Sequence, residues 1–407
     1  MRFLAWFYFL CLFAFSGNAQ PHEPTLENIL KHPELLRIAE KPAHQVQIIY
    51  TQIDRDANQS PTFRSQAFGV DDRLYFYPAS TVKMPVAFLA LQRLRELGID
   101  ANTTLKIESD RPVQTSVFTD STAQNGLPSI AHYIKKVFLV SDNDAYNRLY
   151  EFLGQRYINK QLKEKGFTKT RIKHRLVGGY DGVENEYINP FLFYEGGQNI
   201  YRRLGVHAPY QFEQLDKDKT VRGVGYWDDN LEQVIDQPFD FSQKNYISLQ
   251  DLHNMMITIM FPESLPENNQ FDLAEEDYQF LWDTMSRLPN ESDWPQYDYP
   301  DNYVKFFMFG DQREDYEIPP HIKIFNKVGF AYGFVTDVAY IIDTKNKVEF
   351  ILAAQLLVNE NDVFNDGEYE YEEVAFPFLA TLGRQVYYHE LFRKKNTEPD
   401  LSKFKTE

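Results

Sequence analysis

Strand patterns lie at the two ends of this chain and helical patterns fill its middle, and that placement limits the fold more than any other feature of the sequence. Near the C-terminus, Ile322–Phe325, Phe334–Ile342 and Val348–Leu357 read as consecutive strands. Near the N-terminus, His44–Ile53 alternates through Val46, Ile48 and Ile49 as a strand does, and Ala67–Tyr77 suits one or two more around the Asp71-Asp72 turn. Between them, Met84–Leu97 is a strongly apolar helix ended by Gly98, and Ile130–Leu153 is mostly helical and closed by Gly154. Ser248 opens a further helix, with Asp251 as its N-terminal partner, that runs through to Met260; another covers Glu275–Leu288. Residues 24–40 read as a helix interrupted at Pro33, and Phe376–Phe392 as a closing helix. Gly178–Lys244 has no clear period and reads as long loops with short elements. The order predicts one sheet assembled from both ends of the chain, an inserted helical region, and a cleft between them.

The chain is long enough, at 407 residues, to bury a large core. Its formal net charge of −17 argues against nucleic-acid binding and against docking on anionic lipid, both of which need clustered Lys and Arg. At the N-terminus, Arg2, the apolar run Phe3–Phe15 and then Ser16-Gly17-Asn18-Ala19-Gln20 have the layout of a secretory signal peptide, with cleavage expected after Ala19. The other account is an uncleaved anchor, for which the run is short against the ~20 residues of a spanning helix. Cys11 is the only cysteine and would leave with the signal, so the mature chain would hold no disulfide, thiol nucleophile or cysteine metal site. Export without cysteines is compatible with the periplasm of a Gram-negative bacterium.

Three short motifs carry chemistry. In Pro78-Ala79-Ser80-Thr81-Val82-Lys83, serine and lysine three apart share a helix face. The Ser80 hydroxyl needs a base to become a nucleophile, and Lys83 supplies one if burial or a second cation keeps its amine neutral. In Ser141-Asp142-Asn143, the hydroxyl can relay a proton to a leaving nitrogen, and the Asn143 amide can orient Lys83 or bond a substrate amide; Asp142 is as readily structural. In Lys327-Val328-Gly329-Phe330, the lysine can bind a substrate carboxylate, Gly329 lets substrate approach the strand, and the Phe330 N–H can pair with that of Ser80 as an oxyanion donor. Taken singly, each motif has a plainer reading: an exposed helix start, a helix cap, or a hairpin with a surface lysine.

In this order the three resemble the signature of class A β-lactamases and penicillin-binding proteins. The likeness extends to Val140–Asn147, to Gly166–Ile172 and to Ser248–Leu252, and covers most of residues 44–176 and 246–392. The resemblance implies an α/β (α+β) fold: a five-stranded antiparallel sheet flanked by helices beside an all-helical part. By it, the domain would run over 20–407 after a signal at 1–19, with the α/β part about 20–100 and 300–407, the helical part about 101–300, and an aromatic, acidic insertion about 177–246. It implies Ser80 as nucleophile, Lys83 as proton acceptor, Ser141 as relay, and Asn143, Lys327, Val328, Gly329 and Phe330 as substrate contacts. No cofactor and no metal is implied.

Two departures bear on the substrate. Val328 stands where the family usually has Thr. The family's Ω-loop Glu, which activates the deacylating water, should fall near Leu176, and none is there. Glu184 and Glu186 precede Asn189 at the wrong spacing, although an acid of the insertion could fold back into the site. The expected function is an exported serine hydrolase that forms an acyl-enzyme through Ser80 on an amide, lactam or ester. The alternatives are a DD-peptidase acting on cell-wall peptides, or a non-catalytic binding protein on the same fold.

Overall fold

The computed structural model describes residues 25–177 and 182–404; the expected signal segment lies outside them. Five strands form the main sheet: β1 (Gln47–Arg55), β2 (Pro61–Phe68), β3 (Ile322–Ala331), β4 (Phe334–Asp343) and β5 (Val348–Leu357). Their order is β3-β4-β5-β1-β2, antiparallel throughout, so β1 joins the C-terminal strands by pairing with β5. The expectation of one sheet built from both ends holds.

Strand alternation sorts side chains into two cores. Ile49 and Ile53 of β1, Val338 and Tyr340 of β4 and Ile351 of β5 face the helical region. Ile48, Tyr50, Val335, Ala339, Phe350 and Leu352 face the other way. There the closing helix, with Leu379, Leu382 and Val386 buried, covers them. Every residue of β4 and β5 is buried, which explains their near-continuous apolar sequence.

The central helix α1 (Lys83–Leu97) is buried on nearly all sides from Met84 to Leu91 and stops at Gly98, whose φ of 65° suits a left-handed cap. The expected helix over Ile130–Leu153 is two: α2 (Ile130–Val140) and α3 (Asn143–Leu153). The break falls at Ser141, which is left-handed, and Asp142 then caps α3 by accepting from the Ala145 N–H at 2.7 Å. Ser248 caps α4 (Leu249–Met260) through the Asp251 N–H, but the Asp251 carboxylate turns to the Lys169 N–H and the Thr170 hydroxyl instead of completing a capping box.

One strand expectation needs correcting. Residues 69–77 are not a strand. The strand lies earlier, as the edge strand β2, and Tyr75 instead bonds the Asp218 carbonyl of the insertion. The short elements expected over Gly178–Lys244 are mostly short strands, among them Phe191–Glu195 with Gln198–Arg203, and Gly225–Asp228 paired in parallel with Val363–Phe364. The last pairing ties the insertion to the segment that follows β5.

Candidate active site

Ser80 sits in a 3-10 turn, Ala79–Val82, that runs directly into α1, which places Lys83 one turn below it. Lys83 is fully buried, and its Nζ lies 2.8 Å from Ser80 Oγ, 2.7 Å from Asn143 Oδ1 and 3.1 Å from Ser141 Oγ, and also contacts the Ser141 carbonyl. Lys327, from β3, reaches Ser141 Oγ at 2.8 Å and its neighbour's carbonyl, that of Val328, at 2.8 Å. The α2–α3 junction thus carries Ser141 between two lysines from separate elements. The left-handed Ser141 aims both its carbonyl and its hydroxyl at Lys83.

Burial pushes the Lys83 amine well below its ordinary value, and the nearby Lys327 adds to this while Asp142 opposes it. Burial likewise lowers Lys327, to about 7. Behind Lys327 lies a buried chain that sequence reasoning missed. Lys305 Nζ donates to Asn326 Oδ1 at 2.9 Å, and Asn326 Nδ2 donates to Asp337 Oδ1 at 2.9 Å. Asp337 attracts both lysines, and burial raises its carboxyl to about 6. Lys305 itself is held down to about 7 by burial. A lysine inside an aromatic run, Lys305-Phe306-Phe307, carried no signal that would have marked it as part of the site.

The remaining expected residues divide between cleft and core. Gly329 lies hard against the nucleophile's turn: an added Cβ would stand 2.7 Å from both the Ser80 nitrogen and the Pro78 carbonyl oxygen. Gly329→Ala is therefore expected to push β3 off this turn and abolish detectable acylation of Ser80, measured by mass spectrometry alongside a melting curve. Phe330 is half exposed at the cleft. The Val328 side chain is buried in the second core with Val335 and Ile324, so a hydroxyl missing there is missing from a core position.

The cleft over Ser80 holds about 700 Å³ and is walled by aromatics, Tyr77, Phe330, Tyr332 and Tyr369 among them. Ala79, Ser141, Val177 and Tyr332 adopt left-handed backbone at φ 44°, 57°, 52° and 55°. For residues with a side chain this costs roughly 1–2 kcal/mol each, and such strain gathers where geometry is imposed by the surroundings.

Leu176, where the family's Glu was expected, lines the cleft and is clamped through its backbone to both polar ends of the Asn147 side chain, each at 2.8 Å. Its neighbour Arg175 is anchored on the fully buried Glu151 at 2.9 Å, and Glu151 also accepts from Arg148 at 3.1 Å. Neither candidate acid reaches the cleft. Glu184 pairs with Arg111, and Glu186 with His207 at 2.7 Å. The insertion does contribute Asp229, held by Asn365 Nδ2 at 3.2 Å, at the cleft wall. His174 also lines the cleft. Its Nε2 accepts from the Asn245 N–H at 3.2 Å, its Nδ1 donates to the Arg175 carbonyl at 2.5 Å, and burial lowers it to about 4, so both nitrogens are committed.

A model of the beta-lactamase enzyme family matches residues 32–274. Among solved structures, one of PBP-A superposes with a TM-score of 0.50 at 15% identity, covering 89% of this chain and 94% of that one. A β-lactamase from Sphaerobacter thermophilus DSM 20745 has a TM-score of 0.48 at 12% identity, covering 91% and 98%. No curated protein matches the chain. The first of these likenesses agrees with the sheet order and helical region described above, and at such identity it speaks for the fold alone.

Proposed function

The chain belongs to the beta-lactamase enzyme family, whose members are serine hydrolases, and from that premise we propose that it forms an acyl-enzyme through Ser80 on a lactam, amide or ester and releases the acyl group slowly. The observation that carries this reading is the contact of Lys83 with Ser80 Oγ at 2.8 Å beneath a cleft of substrate size. A protonated lysine has three donors and nothing to accept with. A neutral one has two donors and a lone pair. Two carbonyl-type acceptors, Ser141 O and Asn143 Oδ1, take the two N–H groups, and the lone pair is left for a hydroxyl, with Ser80 at 2.8 Å closer than Ser141 at 3.1 Å.

In the proposed reaction Lys83 takes the Ser80 proton as Oγ bonds to the substrate carbonyl carbon. The negative charge that develops on the carbonyl oxygen is received by the Ser80 and Phe330 N–H groups. The bond from carbon to the leaving nitrogen or oxygen then breaks, and the leaving atom receives the proton through Ser141, whose hydroxyl bridges Lys83 and Lys327. Water later cleaves the serine ester. That last step would be slow because Leu176 offers no carboxylate to a water beside Ser80, and losing a positioned general base costs about 10²–10⁴-fold.

Lys327 would attract a substrate carboxylate while it is protonated. With its value at about 7 and not near 10.5, that attraction is present below pH 7 and fades above it. The second-order acylation rate for an anionic donor, divided by that for a neutral ester, is therefore expected to fall as pH rises through 7. The titration of Lys83 cancels in this ratio. A ratio flat to pH 9 would contradict the role given to Lys327.

Two further assays test the rest. Turnover of a chromogenic cephalosporin against release of D-alanine from a cell-wall peptide decides between a lactam and a peptide substrate; activity on neither, with no labelling of Ser80, would leave only a binding role. The same reading has the mature chain beginning near Gln20 outside the cytoplasm. N-terminal sequencing of the envelope fraction checks this, and intact Met1 in a membrane pellet would contradict it.

A further inference from the structure

A second pocket of about 280 Å³ lies away from Ser80, between the segment Thr168–Arg171 and the insertion residues Tyr210–Lys217. Arg171 lines it. Arg171 is 9% exposed, yet no carboxylate among the described residues pairs with it, and its Nε and Nη1 are buried without any acceptor among them. Its one described partner is the ring of Phe212, whose centroid is 5.0 Å from the guanidinium carbon. An arginine does not escape such a position by losing its proton, so the charge remains and calls for an anion.

The surroundings favour the same sign. Lys169 and Lys217 line the pocket with Arg171, and Lys173 lies over the far reach of the Phe212 ring at 5.7 Å. Lys217 spends one N–H on the Asp72 carbonyl, and its Nζ sits 4.9 Å over the ring of Tyr246. The opposing charges in the lining are Glu213, which turns outward beside Lys163 at 3.9 Å, and Asp216. Four cations in the lining, Lys163, Lys169, Arg171 and Lys217, face these two acids in a chain whose formal charge is −17. Burial lowers both Arg171 and Lys217, and at Lys217 the neighbouring Lys169 adds to this while Asp72, Asp216 and Asp71 oppose it.

We propose that this pocket is a second ligand site, which takes a small molecule bearing a carboxylate or phosphate group, with the anion beside Arg171 and any flat apolar part against Phe212 and Tyr246. Carboxylate and phosphate share the geometry that a guanidinium recognises. Neighbouring stretches of the same chain wall the active cleft, His174–Val177 after Arg171 and Lys244 before Tyr246. The chain after Arg171 continues through His174 and Leu176 into that cleft, and Asn245, next to Tyr246, binds the Lys173 and His174 N–H groups through its Oδ1 at 2.7 and 3.1 Å.

Calorimetric titration of the whole protein with inorganic phosphate and, separately, with benzoate tests the site. One-to-one binding of at least one of them is expected. It should weaken about 10-fold or more in Arg171→Met, the loss of a hydrogen bond to a charged group, and by a smaller factor in Lys169→Ala, an exposed residue whose replacement leaves the fold intact. Binding of phosphate alone would mark the oxyanion as the recognised feature, and tighter benzoate binding would mark the aromatic wall. Binding should persist in Lys327→Met, which separates this pocket from the active cleft. No binding of either anion to the unaltered protein would overturn the proposal, as would binding unchanged in both Arg171→Met and Lys169→Ala, or binding lost in Lys327→Met.

Discussion

Lys83→Met is expected to slow acylation of Ser80 by about 10²–10⁴-fold, the usual contribution of a positioned general base. The fold should survive, because Met fills most of the same buried volume and carries no charge to leave stranded. Ser80 itself stays in place, since its turn is held by the Thr81 hydroxyl and N–H on the Pro78 carbonyl at 2.7 and 3.0 Å, neither of which involves Lys83. Stopped-flow acylation by an activated ester measures the effect. Lys83→Arg should do no better than Met, because a guanidinium stays protonated and cannot accept the serine proton. A rate within 10-fold of the unaltered protein in Lys83→Met would mean that another group takes the proton. His174 is the nearest alternative in kind, and its nitrogens are both occupied.

Glu151→Ala is expected to lower stability by about 3–5 kcal/mol, the cost of stripping the shared partner from buried charges. Glu151 is fully buried and bridges Arg148 and Arg175, whose side chains are 6% and 0% exposed. Arg148 keeps Asp144, whereas Arg175, fully buried, loses the Glu151 carboxylate and keeps the backbone carbonyls of Glu184 and Tyr187. The loss would reach function as well. Arg175 carries the wall from His174 to Val177, and Leu176 beside it is fixed only by Asn147 among its described hydrogen bonds. Urea unfolding gives the stability change, and Glu151→Gln, which keeps the shape and one acceptor, should cost less than Glu151→Ala. A change under 1 kcal/mol in Glu151→Ala would show that the carbonyls alone suffice.

What could be read in the sequence followed the strength of local patterns. β4 and β5 have every side chain buried, so their apolar runs were plain, and the buried α1 was equally plain between Ser80 and Gly98. β2 was displaced because it is an edge strand, half exposed along Pro61–Phe68, with Thr62, Arg64, Ser65 and Ala67 open to solvent. The break at Ser141 was hidden because its left-handed turn is imposed by the lysines it serves and by the Asp142 cap, not by a glycine or proline. The insertion's strands are too short to show a period, and their order depends on partners far along the chain, such as Val363–Phe364 for Gly225–Asp228. The motif residues Ser80, Lys83, Ser141, Asn143 and Lys327 stood out because their types and spacing are unusual together. The groups that support them did not, since Lys305, Asp337, Glu151 and Arg175 become partners only once the sheet and helices have closed.

The central claim is that Ser80 is acylated by way of Lys83 and then released slowly. Intact-mass spectrometry after mixing with penicillin, and in parallel with a small activated ester, tests it most directly. The account predicts a single covalent adduct that persists for minutes, maps to the peptide containing Ser80, and is absent in Ser80→Ala. No adduct and no turnover with either reagent would contradict acylation at Ser80. Rapid penicillin turnover without accumulated adduct would contradict slow release, and would put a water-activating role on Asp229, the insertion acid at the cleft wall.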